Sequence, residues 1–191
     1  MLQPDISEDN STLKLISMND GSSCSIPINP SLKGSVVQVR VWSDFVGAID
    51  QGEEMAEWLQ KQLKTEGLRL MRFAPGAERY VDEDWVREGC IGESKFPDAF
   101  PFLMTSEESL TELNKLADVP DGTFDMRRYR PNIVVKGGGA LAENLWEWIQ
   151  VGQVKMALTK PCVRCKATTV IPDEGKFDDG YILQVVNQKM D

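Results

Sequence analysis

KPCVRCKATTV, residues 160–170, is the most informative segment of this sequence, because it places three basic side chains around two thiols. Positive neighbours favour the thiolate over the thiol, and a thiolate is both a nucleophile and a soft ligand for molybdenum, copper or zinc. The pattern therefore predicts a reactive or metal-binding cysteine. Two simpler interpretations stay open: Cys162 and Cys165 are half of a structural zinc site, or they are small buried residues at the start of a strand.

A second basic segment, RRYRPNIVV at residues 127–135, comes directly before an apolar strand. Guanidinium groups bind phosphate through paired, planar hydrogen bonds. The amide of Asn132 can form hydrogen bonds with the polar edge of a neutral ring. In an acidic protein this segment is the obvious anion site. The alternative is that these arginines are solvated and pair with nearby carboxylates.

Charge and composition exclude several classes of function. The chain has 191 residues, a formal net charge of -9, four cysteines and no histidine. This charge repels nucleic acid and anionic membrane surfaces, so neither is an expected partner. Without histidine, Ser-His and Cys-His catalysis and imidazole-bound zinc are excluded. The cysteines are scattered, which predicts reduced thiols in a cytoplasmic type of compartment. The sequence shows no apolar segment of membrane-spanning length and no signal sequence, so we expect a soluble chain or a piece of a larger protein.

The hydrophobic pattern predicts more strands than helices. Apolar residues at helical spacing predict a helix over residues 53–64 and a second one that ends near Ala117, which a capping box of Thr105 and Glu108 begins. Strands are predicted at residues 12–17, 35–42, 68–73, 100–104, 129–136, 154–158 and 167–171, and the first ten residues are predicted to be irregular. The expected fold is a mainly antiparallel β-barrel or sandwich with a few helices packed outside.

Four segments, in this order, resemble the MOSC domain of amidoxime-reducing molybdenum enzymes and of molybdenum cofactor sulfurases. They are PFLMTSEESLTELN, RRYRPNIVV, AENLWEWIQVG and KPCVRCKATTVIPDEG. The paired threonines favour the amidoxime-reducing and bacterial stand-alone branch. The resemblance implies a mainly β (α+β) fold, a MOSC-type antiparallel barrel with a few packed helices. We expect part of a β-rich N-terminal domain at residues 1–78 and a MOSC domain at residues 79–191, the first lacking part of its N-terminal region and the second its C-terminal end.

The resemblance also implies roles for individual residues. Cys165 ligates molybdenum and is the catalytic metal thiolate, and Asp98 supplies an acid near the metal. The residues expected to bind the cofactor are Arg130, Asn132, Val163, Arg164, Cys165, Ala99 and Phe100. The resemblance leaves Cys162 open: it is a spare thiol, a sulfur relay or a packed small residue, of which packing is favoured.

The function implied by the resemblance is reduction of N-hydroxylated small molecules at a molybdenum cofactor, a molybdenum-pyranopterin complex. Electrons would come from a small haem or flavin protein. One alternative is the sulfur-carrying MOSC module of a cofactor sulfurase, which would need a pyridoxal-phosphate desulfurase as its partner. A second alternative is a binding module without catalytic activity. The expected location is cytoplasmic or unknown, the resemblance alone suggests a mitochondrial association, and no membrane segment is expected in this chain.

Overall fold

The structure, a computed structural model of the chain, describes residues 1–28 and 34–189. The chain divides into two compact units, Met1–Arg79 and Tyr80–Asp191. No helix in the described part combines the length and the apolar character needed to cross a lipid bilayer.

Short antiparallel strands and a helix build the first unit. The elements are β1 (Leu2–Ile6), β2 (Thr12–Ser17), β3 (Ser23–Pro27), β4 (Val36–Val41), β5 (Asp44–Asp50), α1 (Glu53–Leu63) and β6 (Met71–Phe73). In the described residues, β1, β2 and β3 form one sheet and β4, β5 and β6 form another. Apolar residues at helical spacing give α1 a buried face, and Met55 and Leu59 pack there against Cys24 of β3.

In the described residues, the second unit combines short strand pairs with two α-helices. The elements are β7 (Met104–Ser106), α2 (Glu107–Leu116), β8 (Ile133–Val135), β9 (Trp148–Val151), β10 (Val154–Ala157), β11 (Val170–Ile171), β12 (Lys176–Phe177) and α3 (Tyr181–Lys189). β7 pairs with β8 in parallel, whereas β9 pairs with β10 and β11 with β12 in antiparallel fashion. The core of this unit contains Leu113 of α2, Ile182 and Val185 of α3, and the aromatic residues Phe124 and Tyr129.

The predicted mainly β fold with a few packed helices is confirmed, but the predicted closure of a barrel is not. Within the described residues the hydrogen-bonded ladders stay separate. Arg130 and Leu141 of the second unit have a positive backbone φ. The strands described in this unit are two to four residues long.

The first ten residues are not irregular, contrary to the prediction. β1 pairs with β2 from Leu2↔Ser17 to Ile6↔Leu13. Main-chain hydrogen bonds carry this pairing, and four of the five β1 residues are exposed. An exposed edge strand lacks the apolar alternation by which a strand is recognised in sequence.

The start of α2 also differs from the prediction. The predicted strand at residues 100–104 begins only at Met104, and the helix cap is Ser106 rather than Thr105. The Ser106 hydroxyl accepts a hydrogen bond from the N–H of Ser109 at 3.1 Å. Glu108 does not complete a capping box, because its Oε1 accepts from the N–H of Gly137 at 2.7 Å. The cap therefore lies one residue later, and Glu108 holds the glycine-rich turn.

Candidate functional site

The two cysteines of the CVRC segment lie in an exposed loop, residues 160–165, which we call the cysteine loop. This loop has no regular secondary structure, and both thiols are free and exposed. Val163 between them is 85% exposed. The predictions of a packed Cys162 and of two buried small residues are therefore wrong, and both sulfurs are accessible to a ligand.

Two buried threonines fix the backbone directly after Cys165. Lys166–Thr169 is a 3-10 helix, in which the N–H and the hydroxyl of Thr168 both donate to the carbonyl oxygen of Cys165, at 3.1 and 2.9 Å. The Thr169 hydroxyl donates to the carbonyl oxygen of Lys166 at 2.8 Å. The predicted strand at residues 167–171 is thus shortened to β11, because hydroxyls that bond back to the backbone favour a turn.

Arg164 connects the cysteine loop to the second basic segment. Its Nη2 donates to the carbonyl oxygen of Tyr129 at 3.0 Å, and its Cζ lies 5.0 Å from the centroid of the Tyr129 ring. A guanidinium over an aromatic face is a favourable cation–π contact. Its Nη1 also donates to Sγ of Cys162 at 3.3 Å. The structure therefore brings the two basic segments of the sequence analysis into contact.

The 3-10 helix Met126–Tyr129, which we call the arginine turn, begins after Asp125. The Asp125 carboxylate accepts from the N–H of Arg127 at 2.7 Å. The Arg127 guanidinium forms ion pairs with Asp125 at 2.6 Å and with Asp173 at 2.8 Å. Hydrogen bonds from Arg127 lower the pKa of both carboxyl groups. For this arginine, the alternative of a solvated pair with carboxylates is correct.

Arg128 forms a buried ion pair. Its side chain is 9% exposed and binds the carboxylate of Asp178, which is 18% exposed. The N–H of Asp178 in turn donates to the carbonyl oxygen of Thr169 at 2.8 Å. The pair therefore joins the arginine turn to the segment that follows Cys165. Buried charges are tolerated only when they are paired in this way.

Arg130 presents its side chain to solvent directly after the arginine turn. Its φ of 54° and ψ of 44° lie in the left-handed region. Among the described residues, its guanidinium has no hydrogen bond or ion pair with another side chain or carbonyl. The strand predicted at residues 129–136 begins only at Ile133, because a left-handed residue followed by Pro131 cannot continue a ladder. An exposed guanidinium without a protein partner is suited to bind an anion.

Asn132 anchors a neighbouring segment of the chain. Its Oδ1 accepts from the N–H of Leu103, and its own N–H donates to the carbonyl oxygen of Leu103, both at 2.9 Å. Asp98 and Ala99 are exposed and Phe100 is half-buried in the bends that precede Leu103. The structure thus connects Asn132 to Leu103, which follows Phe100 by three residues. The placement of Asp98, Ala99 and Phe100 around a metal at Cys165 stays a prediction.

Tyr129 is a site residue that the sequence analysis missed. It is 8% exposed and packs in the core of the second unit. Burial raises the pKa of its hydroxyl, and the charges of Arg164 and Arg128 partly oppose this rise. In the described part of the chain this hydroxyl has no hydrogen-bond partner. The only signal in the sequence is an aromatic residue between arginines in RRYR.

At this site, the side chains that could bind a soft metal are the thiols of Cys162 and Cys165. Across residues 1–28 and 34–189, no three His, Cys, Asp or Glu side chains are grouped so that they could hold a metal ion. A structural zinc site needs four such ligands. The described residues therefore do not group the four ligands of a structural zinc site.

Comparison with known proteins places the candidate site inside a recognised domain. The sequence profile of the MOSC domain matches residues 92–188, a range that contains every predicted site residue. Mitochondrial amidoxime-reducing component 1 of Mus musculus is 33% identical over 157 residues, which are 80% of this chain and 44% of that protein. Mitochondrial amidoxime reducing component 2 of Rattus norvegicus is 31% identical over 159 residues, 80% of this chain and 45% of that protein. The chain thus spans less than half the length of these relatives.

Proposed function

This chain belongs to the MOSC domain family, and from that premise we propose that it holds a molybdenum cofactor through Cys165 and takes part in the reduction of N-hydroxylated small molecules. The observation that carries the proposal is the cysteine loop. Its Cys165 thiol is exposed, its backbone is fixed by Thr168, and Arg164 ties it to the turn that presents Arg130. A soft ligand and cations for an anionic group therefore come from one connected part of the second unit.

The residues present fit such a cofactor on chemical grounds. A thiolate is a ligand that molybdenum accepts, and a single thiolate suffices when the metal arrives with ligands of its own. The exposed guanidinium of Arg130 suits a phosphate, which guanidinium groups bind through paired hydrogen bonds. When bound, the cofactor would supply a metal that can change its oxidation state by two electrons.

We assign roles to the residues as follows. Cys165 is the metal ligand, and Arg164 and Arg130 hold the anionic end of the cofactor. Asp98 is the acid that delivers a proton near the metal. The remaining residues proposed to line the cofactor are Asn132, Val163, Ala99 and Phe100. Asn132 can do so with its amide NH2 group, because its Oδ1 already accepts from Leu103.

The names of the relatives support the substrate class, since they are amidoxime-reducing components. Reduction of an N-hydroxyl group to N–H takes up two electrons and two protons and releases water. The electrons would have to come from a second protein, and the family resemblance suggests a small haem or flavin protein. The same names support a mitochondrial association. Substrate, electron donor and location are all part of the proposal.

The decisive experiment is elemental analysis for molybdenum on the full chain purified from a host that makes the cofactor. We expect near-stoichiometric metal in the unmodified chain, loss of metal in Cys165→Ala, and retention in Cys162→Ala. The second variant is a matched control, because both cysteines are free and exposed in the same loop. The N-hydroxylated substrate would then be assayed only with variants that retain metal.

Other outcomes would redirect the assignment. Equal molybdenum in the unmodified chain and in Cys165→Ala would refute the role of this thiolate. A chain without metal that carries a cyanide-releasable sulfur on a cysteine would support the sulfur-carrying module instead. A folded chain with neither would support a binding module without catalytic activity.

A further inference from the structure

Three buried hydrogen-bond donors without a partner lie around the arginine turn. Among the described residues, the buried side-chain nitrogen and oxygen atoms without a hydrogen-bond partner are Ser94 Oγ, Glu108 Oε2, Arg128 Nε, Tyr129 Oη and Arg164 Nε. Of the last three residues, Arg128 and Tyr129 are adjacent in sequence, and Arg164 contacts Tyr129. Buried polar groups in folded proteins are nearly always paired, so such a group requires an explanation.

The contacts between these residues show that they form one cluster. The Arg164 guanidinium lies over the ring of Tyr129 and donates to its carbonyl oxygen at 3.0 Å. Arg128 precedes Tyr129 in the arginine turn. Burial raises the pKa of the Tyr129 hydroxyl, and the charges of both arginines partly oppose this rise.

All three groups can donate a hydrogen bond. An arginine Nε carries an N–H and can only donate, and a tyrosine hydroxyl that is protonated has an O–H to give. A tyrosine hydroxyl keeps its proton at neutral pH, and burial raises the pKa of Tyr129 further. Of the two guanidinium groups, Arg128 is balanced by Asp178, whereas Arg164 has no carboxylate partner in the described chain. The cluster therefore has excess donors and excess positive charge.

We propose that the Tyr129 hydroxyl and the Nε–H groups of Arg128 and Arg164 bind an oxyanion of the phosphate class. An oxyanion supplies several acceptor oxygens and the missing negative charge at once, whereas a water molecule supplies no charge. The proposal deepens the proposed function and rests on it for one of two sources of the oxyanion, the phosphate of a bound cofactor. Free phosphate is the other source. Tyr129 is the new binding residue in either case.

The test is calorimetric titration of inorganic phosphate into the full chain purified from a host that cannot make the cofactor. The decisive variant is Tyr129→Phe, which removes only the oxygen. Loss of one hydrogen bond to a charged ligand should weaken phosphate binding about tenfold. The same variant should melt at the same or a higher temperature without phosphate, because a buried hydroxyl without a partner has been removed.

Tyr181→Phe is the matched control. The hydroxyl of Tyr181 donates to the carbonyl oxygen of Ala117 at 2.8 Å, so its loss should lower the melting temperature and leave the affinity for phosphate unchanged. An unmodified chain that binds no phosphate, or a Tyr129→Phe variant with unchanged affinity, would overturn the proposal and leave water as the acceptor.

The source of the oxyanion is decided by repeating the titration on the molybdenum-loaded chain. Phosphate binding that disappears in the loaded chain assigns the site to the cofactor phosphate. Binding that persists assigns it to a free oxyanion. A failure of the proposed function is seen separately, as absence of molybdenum in a chain whose phosphate affinity still depends on Tyr129.

Discussion

Replacing Asp178 by asparagine tests how strongly its buried ion pair with Arg128 stabilises the second unit. Asparagine has the shape of aspartate and keeps the oxygen that accepts the N–H of Gly180 at 2.8 Å. The substitution removes the negative charge, and it replaces Oδ2, which accepts the hydrogen bond from Arg128, by an amide NH2 group that can only donate. Arg128, 9% exposed, is then left as a buried cation without a counterion.

The size of the effect follows from the burial of the two side chains. Breaking a buried pair by removing one partner costs about 3–5 kcal/mol. Because Asp178 is 18% exposed and water screens part of its charge, we expect the lower end, a loss of about 3 kcal/mol in the free energy of unfolding. Asp173→Asn is the control, since its pair with Arg127 is exposed and should lose less than about 1 kcal/mol.

The assay is urea unfolding at pH 7, followed by tryptophan fluorescence. For a slope of about 2 kcal/mol/M, a loss of about 3 kcal/mol lowers the midpoint of the transition by about 1.5 M urea. The slope itself should not change. If Asp178→Asn and Asp173→Asn had the same midpoint within error, the reasoning from burial would be refuted and the pair would contribute no more than a surface pair.

Two further predictions concern thiol reactivity and pH. Cys24 is buried, and burial together with the charge of Glu54 raises the pKa of its thiol. Iodoacetamide should therefore modify the two cysteines of the cysteine loop before it modifies Cys24. Equal labelling rates, measured by peptide mass spectrometry, would contradict this. Arg127 lowers the pKa of Asp125 and Asp173 below 3.8, so its ion pairs should stabilise the fold above about pH 4 and lose this effect as the pH falls further. The difference in melting temperature between the unmodified chain and Arg127→Gln should therefore shrink from pH 6 to pH 3, and a constant difference would contradict the assignment.

Elements with a strong local pattern could be predicted from the sequence. Apolar residues at helical spacing predicted α1 and α2, and alternation predicted β2 and β4. β1 gave no such signal, because its pairing depends on main-chain hydrogen bonds with exposed side chains. In α3, the apolar residues Ile182, Val185 and Val186 form a pattern of less than two helical turns, too short to predict a helix.

From local residue patterns alone, the candidate site was predictable only in its parts. The CVRC and RRYRPN segments indicate thiol chemistry and anion binding locally, yet the contact between Arg164 and Tyr129 spans 35 residues. Arg127 and Arg128 are adjacent and identical in type, so no local pattern tells which one is buried. The difference arises from distant partners, because Asp178 is largely buried and Asp173 is exposed.

Arg130 occupies a position where the backbone and the side chain have different requirements. Its φ of 54° is a conformation that glycine adopts freely and that costs a residue with a Cβ about 1 kcal/mol. Engineering for heat resistance alone would therefore favour glycine here and would discard an exposed guanidinium. A thermostable version of this domain should keep Arg130 fixed and seek its gains at other positions.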